Sequence, residues 1–182
     1  MESFESEIRV HLDKLDIPYE DFCNSNNKLD FKFYDVTVDA KEKRSKYKFH
    51  GDIPEEHSFI VDEITVHKMQ FLAPYTALVI RVSVLSTISY FVIPFWNLVI
   101  MDKYRYNRVQ YDDSLRGKWL IDLRNGAQLP NVESVIECVK RIPKWVTKRK
   151  ADCTGKVFGE NIKVHGTKRT VEQARYDYHI TR

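Results

Sequence analysis

Cysteine is scarce in this chain, and the few cysteines stand apart. Cys23, Cys138 and Cys153 are the three among 182 residues, and none forms a Cys-x-x-Cys pair. No disulfide framework or zinc site follows from them. An odd, scattered set fits a reducing, intracellular and hence cytoplasmic setting. None of the six histidines lies four residues from another, so an H-x-x-x-H metal pair is missing. The sequence has no G-x-S-x-G, which leaves Ser/His/Asp hydrolase chemistry without its nucleophile turn. It has no P-loop and no G-x-G-x-x-G, so nothing supports nucleotide-driven or dinucleotide chemistry.

Long uncharged runs are nearly absent. The one of membrane-spanning length is Val82 to Met101, 20 residues. It contains Ser83, Ser86, Thr87, Ser89, Pro94 and Asn97, and Arg81 and Asp102 flank it. Rich in β-branched and aromatic residues, it reads as a buried strand, a turn, a second strand and a short helix. No membrane span is expected. The N-terminal stretch MESFESEIRV is acidic and amphipathic, so no secretory signal is expected either.

What remains suits a folded domain. The chain is 43% hydrophobic and 13% aromatic, enough for a sizeable core. Its 30% of charged residues argues for a well-solvated surface and against disorder. The net charge of +3 is unevenly spread. From Val139 to Arg182 there are 12 Lys+Arg against 4 Asp+Glu, a surplus of eight, so the rest of the chain carries a net −5. A basic C-terminal quarter suggests an anionic partner. Lys144, Lys148, Arg149 and Lys150 surround Trp145, and Lys168 and Arg169 follow before Tyr176 and Tyr178. Basic residues interleaved with aromatics suit phosphate contact and base stacking. The same pattern also describes a solvated helix whose tryptophan packs on the core.

Periodicity places the elements. Phe4, Ile8, Leu12 and Leu15 fall at helical spacing over Ser3 to Leu15. Pro18 to Phe22 reads as a short strand. In LDFKFYDVTVDAKEK, from Leu29 to Lys43, two runs alternate with a period of two around Tyr34-Asp35, which predicts a β-hairpin. His57 to Leu72 reads as a helix and Thr76 to Leu85 as a strand buried on both faces. Ser89 to Ile93 is expected as a strand, Pro94 to Met101 as a short helix, and Lys118 to Leu123 as a strand. Val132 to Val146 is expected as a helix with Pro143 near its end. These elements predict an α/β or α+β layer with a central sheet, of which α/β is the fold class expected. The expected division is a core over residues 1–146 and a basic C-terminal segment over 147–182.

The hairpin carries the chemistry. With Tyr34 and Asp35 as its loop, Lys32 faces Thr37, Phe31 faces Val38, and Asp30 faces Asp39. Apolar residues then share one face, and Asp30, Lys32, Thr37, Asp39 and Lys41 share the other; a slip by one residue would destroy this agreement. Opposed Cβ atoms lie about 4.5–5.5 Å apart, so Asp30 and Asp39 repel unless something neutralises them. A divalent cation with oxygen ligands, Mg²⁺ or Mn²⁺, does so. Lys41, two residues past Asp39, shares that face and can orient or deprotonate a water held by the metal, or balance charge on a phosphate.

The segment DFKFYDVTVDAK resembles the core motif of the PD-(D/E)XK nucleases, the restriction-endonuclease-like superfamily. Asp30 matches the first acid, Asp39 the second, and Lys41 the lysine; Leu29 stands where the motif often has proline. The resemblance implies a core of order α-β-β-β-α-β, a mixed central sheet flanked by helices, with C-terminal additions. It implies that both aspartates bind Mg²⁺ and that Lys41 positions the attacking water. It also implies a glutamate from the first helix, for which Glu5 and Glu7 are the candidates and Glu5 the better match. From the second helix, Lys68 or Gln70 can reach the site. The expected function is a metal-dependent endonuclease acting on DNA, with paired copies serving two-strand cleavage. The rival is a binding or assembly subunit with little catalysis, using the basic C-terminal segment.

Overall fold

The computed structural model of the chain describes residues 1–48, 50–84, 86–101, 103–105, 118–153 and 162–164. Helix α1 (Phe4–Lys14) opens it. Ser3 caps this helix by accepting the Ser6 N–H, and Glu5 and Glu7 occupy its first turn, where the helix dipole favours acids. Phe4, Ile8 and Leu12 are buried along one face, while Leu15, the C-cap, is exposed. Strand β1 (Glu20–Asp21) follows, then the hairpin of β2 (Phe31–Phe33) and β3 (Val36–Lys43). Tyr34 and Asp35 both have positive φ, 51° and 61°. Two left-handed central residues are the mark of a type I′ turn, whose twist matches that of paired strands.

The next segment departs from expectation. His57 to Leu72 is not one helix. A 3-10 turn at Glu55–His57 leads into strand β4 (Ser58–Asp62), and helix α2 (Glu63–Leu72) starts only afterwards. Ser58–Asp62 is short, and its β-branched and aromatic residues are captured by antiparallel pairing with a strand 60 residues later in sequence. A pairing that distant leaves no local periodic trace. Strand β5 (Thr76–Val82), strand β6 (Ser89–Pro94) and helix α3 (Phe95–Ile100) then account for the uncharged run. Among the described residues no helix is long and apolar enough to cross a membrane.

Strands β7 (Lys103–Arg105) and β8 (Lys118–Asp122) precede β9 (Ala127–Leu129), helix α4 (Val132–Cys153) and β10 (Ile162–Val164). Helix α4 was expected to stop at Val146. It continues through Pro143 to Cys153, across the expected division at 146/147. An internal proline removes one helical hydrogen bond. Here Val132, Val135, Ile136, Val139, Ile142 and Val146 are all buried along one stripe, so burial on both sides of the proline holds the helix together.

Two sheets result. The central one has six strands in the order β1-β2-β3-β5-β6-β9, antiparallel except for the parallel β3–β5 pair. The second has the order β10-β7-β8-β4. The central sheet is thus mixed and flanked by helices. One face packs on α1 and α4 through Phe31, Val36, Val38, Val79 and Val92. The other packs on α2, α3 and the second sheet through Leu78, Ile80, Phe91, Met69, Phe59 and Trp119. Because β3 lies inside this sandwich, both its faces are covered. Its apolar residues face α1 and α4. Thr37, Asp39, Lys41 and Lys43 face the other way.

Candidate active site

The hairpin forms in the expected register: Phe31 pairs with Val38, Lys32 with Thr37, and Phe33 with Val36. Asp30 stands just before β2. Its N–H donates to the Val38 carbonyl at 3.1 Å, and its Oδ2 accepts the Ala40 N–H at 2.8 Å. The carboxylate is therefore pinned over β3 beside Asp39. Asp39 has β2 on one side and Leu78 of β5 on the other, and is only 4% exposed. Lys41 Nζ lies 2.7 Å from Asp39 Oδ2.

Helix α1 brings Glu5 to Asp30, in a group that does not include Asp39. Donor atoms of Glu5, Cys23 and Asp30 all lie within 4.8 Å of one another. Glu7 goes elsewhere: its Oε2 accepts from Arg81 Nη1 at 2.6 Å, and its Oε1 accepts from the Tyr90 hydroxyl at 2.8 Å. The first turn of α1 thus sends one glutamate to each of two clusters. No spacing in the sequence points to the nearness of Cys23. It stands two residues past β1, and only the pairing of β1 with β2 brings that segment to Asp30.

Crowded, half-dry acids resist ionisation. Burial pushes Asp39 up to about 6; Lys41 opposes the shift and Asp30 adds to it. Glu5 is raised by burial and then by the charge of Asp30. Burial works against the Lys41 ammonium as well, yet Asp39 and Asp30 outweigh it and raise its pKa. Lys41 therefore keeps its proton at neutral pH. Arg9 also acts on Glu5 but is paired with Asp21, so three carboxylates share the Lys41 ammonium and a local negative surplus remains. Hard oxygens in that number suit Mg²⁺ or Mn²⁺. The Cys23 thiol is pushed upward, first by burial, and so stays protonated. A protonated thiol is a poor ligand for either ion.

The other candidates are placed as follows. Lys68 donates from Nζ to the Asn26 carbonyl at 2.7 Å, near the loop before β2. Lys144 is exposed on α4. Trp145 packs on the core, edge-to-face with Trp96 at a centroid distance of 6.4 Å, so it is held as a packing residue. Lys148, Arg149 and Lys150 fall in the last turns of α4, where their side chains lie outside the description. Lys168 and Arg169 lie outside the described residues. Helix α4 covers the sheet face opposite Asp39 and Lys41.

No protein-family model matches the sequence, and no curated protein matches it.

Proposed function

We propose that this chain is a Mg²⁺- or Mn²⁺-dependent endonuclease that hydrolyses phosphodiester bonds of DNA on a restriction-endonuclease-like core. One observation supports the reading: Asp30, at the start of β2, lies beside the Asp39–Lys41 pair of β3 on one side and Glu5 of α1 on the other, as the motif would require. The strand order agrees with it, since α1, β1-β2-β3, α2 and β5 follow the sequence α-β-β-β-α-β once β4 is set aside as part of the second sheet.

Asp30, Asp39 and Glu5 would hold the cation. Bound there, it would polarise a phosphoryl oxygen and lower the pKa of a bound water. Asp30 is fixed by the Ala40 N–H and so presents its carboxylate in one orientation. Lys41 acts as a cation rather than a base, because its proton is held firmly. It sits where it can hydrogen-bond the incoming water and offset the charge that develops on the phosphate. Hydrolysis places water across one P–O ester bond, leaving phosphate on one product and hydroxyl on the other. Two copies of the chain acting together would serve two-strand cutting.

Cleavage of plasmid and single-stranded DNA with Mg²⁺, Mn²⁺ or EDTA tests the reading, with wild type beside Asp39→Ala and Lys41→Ala. Metal-dependent cutting lost in both variants is the expected result. Cutting that is undiminished in Asp39→Ala sinks the assignment. Binding without cutting, unchanged by either substitution, refutes the nuclease and leaves a nucleic-acid-binding subunit.

A further inference from the structure

Beside the acids, the same face of the hairpin opens into a cleft of about 450 Å³. Lys32 and Thr37, a cross-strand pair, line it. Each stands two residues along its strand from an acid, Lys32 from Asp30 and Thr37 from Asp39, a distance of about 7 Å in extended chain. Phe22 and Lys28 contribute from the segment before β2, and Lys68 and Phe71 from α2. Lys28 Nζ lies 4.5 Å from the centre of the Phe22 ring. Phe71 is 93% exposed, and Leu72 and Tyr75 nearby are also exposed. Three lysines outnumber the one carboxylate in the lining, Glu20.

Ammonium groups beside open aromatic faces are what holds single-stranded nucleic acid: the cations track the phosphates and the rings stack on bases. From this we infer that the cleft seats an unpaired nucleic-acid strand leading into the acid cluster. Lys28, Lys32 and Lys68 take its backbone, and Phe71 stacks on a base. The inference rests on the nuclease reading and narrows its substrate to single strands or duplexes with an unpaired end. An intact duplex keeps its bases stacked inside and offers none to Phe71. The cleft also places the phosphate grip on the face that carries Asp39, opposite α4 and its basic end.

The experiment is equilibrium binding by the full chain in EDTA, where metal-dependent cutting cannot occur. The probes are a labelled short oligothymidylate and a labelled duplex of equal length. Wild type is expected to prefer the single strand. Phe71→Ala, a change at an exposed position that the fold tolerates, is expected to weaken single-strand binding about tenfold with little effect on the duplex. Lys32→Ala combined with Lys68→Ala is expected to lower the slope of log affinity against log salt by about 1.4, roughly 0.7 per lost phosphate contact. Single-strand affinity unchanged in the cleft variants overturns the inference. So does failure of the single strand to bind, which would leave the Phe71 surface to a protein partner. The two readings fail separately. Strand binding that depends on the cleft, in a protein that cuts with neither metal, refutes the nuclease and keeps the cleft. Metal-dependent cutting with cleft variants that bind and cut as wild type does the reverse.

Discussion

Two clusters of buried charge are built from the same two elements, α1 and β3, and they differ in balance. In the first, Arg81 of β5 is 3% exposed. It pairs with Glu7 at 2.6 Å and Glu42 at 3.2 Å, and donates to the Glu2 carbonyl at 2.6 Å. Glu42 also accepts from the Phe4 N–H and pairs with Arg44. Burial works against its ionised form, but these donors outweigh it and hold its pKa below the usual range. Two carboxylates meet two guanidinium groups. In the second cluster Glu5, Asp30 and Asp39 meet the Lys41 ammonium, while Arg9, which also acts on Glu5, is paired with Asp21; both Glu5 and Asp39 are raised. The first cluster docks the start of α1 on the sheet. The second is unbalanced in the free protein, and an added cation would correct it.

This contrast can be broken from either side. Asp39→Asn is expected to reduce metal-dependent cutting by on the order of a thousandfold. The same change is expected to raise the melting temperature in EDTA, because it removes a buried charge in surplus. Circular-dichroism melts beside cleavage assays check both halves; a variant that loses activity only by unfolding contradicts the comparison. Arg81→Ala is expected to do the opposite. It strands Glu7 and Glu42 without their partner and costs about 3–5 kcal/mol of stability by chemical denaturation. The fraction that remains folded keeps its metal-dependent rate.

The pH dependence of stability sharpens the point. An aspartate raised in the folded state binds a proton there that the unfolded chain has already released. Between the unfolded value near 4 and the folded value of about 6, the folded state holds more protons. Stability therefore falls as pH rises through this window. In EDTA, the wild type should lose stability from pH 4 to pH 8 relative to Asp39→Asn, and saturating Mg²⁺ should remove much of the difference. Parallel profiles for the two proteins in EDTA would show that Asp39 carries no such penalty.

The hairpin was legible because its information is local. Alternation in Phe31–Phe33 and Val36–Val38 fixes which side chains share a face, and the two-residue loop fixes the register. Lys41 beside Asp39 follows from spacing alone. The burial of Asp39 was not legible, because it depends on β5, whose pairing begins at Thr76, and on the layer formed by α2 and the second sheet. β4 was missed for the same reason: its partner β8 is distant, and five residues give too short a window to distinguish strand from helix. Cys23 and the cleft lining of Phe22, Lys28, Lys68 and Phe71 meet only through tertiary placement, so no motif could announce them. Pro143 suggested a helix end where burial on both sides proved stronger.

The finest distinction lies within one turn of α1. Glu5 and Glu7 are two residues apart, which sets them about 200° apart around the helix, at 100° per residue. They point to different clusters as a result. Glu5→Gln removes one carboxylate from the acid site but leaves Asp30 and Asp39. It is expected to raise the Mg²⁺ concentration needed for half-maximal cutting by about tenfold while the melting temperature stays near wild type. Glu7→Gln keeps a group that can still accept from Tyr90 but loses the charge opposite Arg81. It is expected to lower stability by about 1–3 kcal/mol, as loss of a charged hydrogen-bond partner does, and to leave the Mg²⁺ requirement unchanged. Metal titrations of cutting beside denaturant melts of both variants separate the two roles. A shifted Mg²⁺ requirement in Glu7→Gln instead of Glu5→Gln would mean that α1 sends the wrong acid to Asp30, and the division between a docking cluster and a chemical one would fall with it.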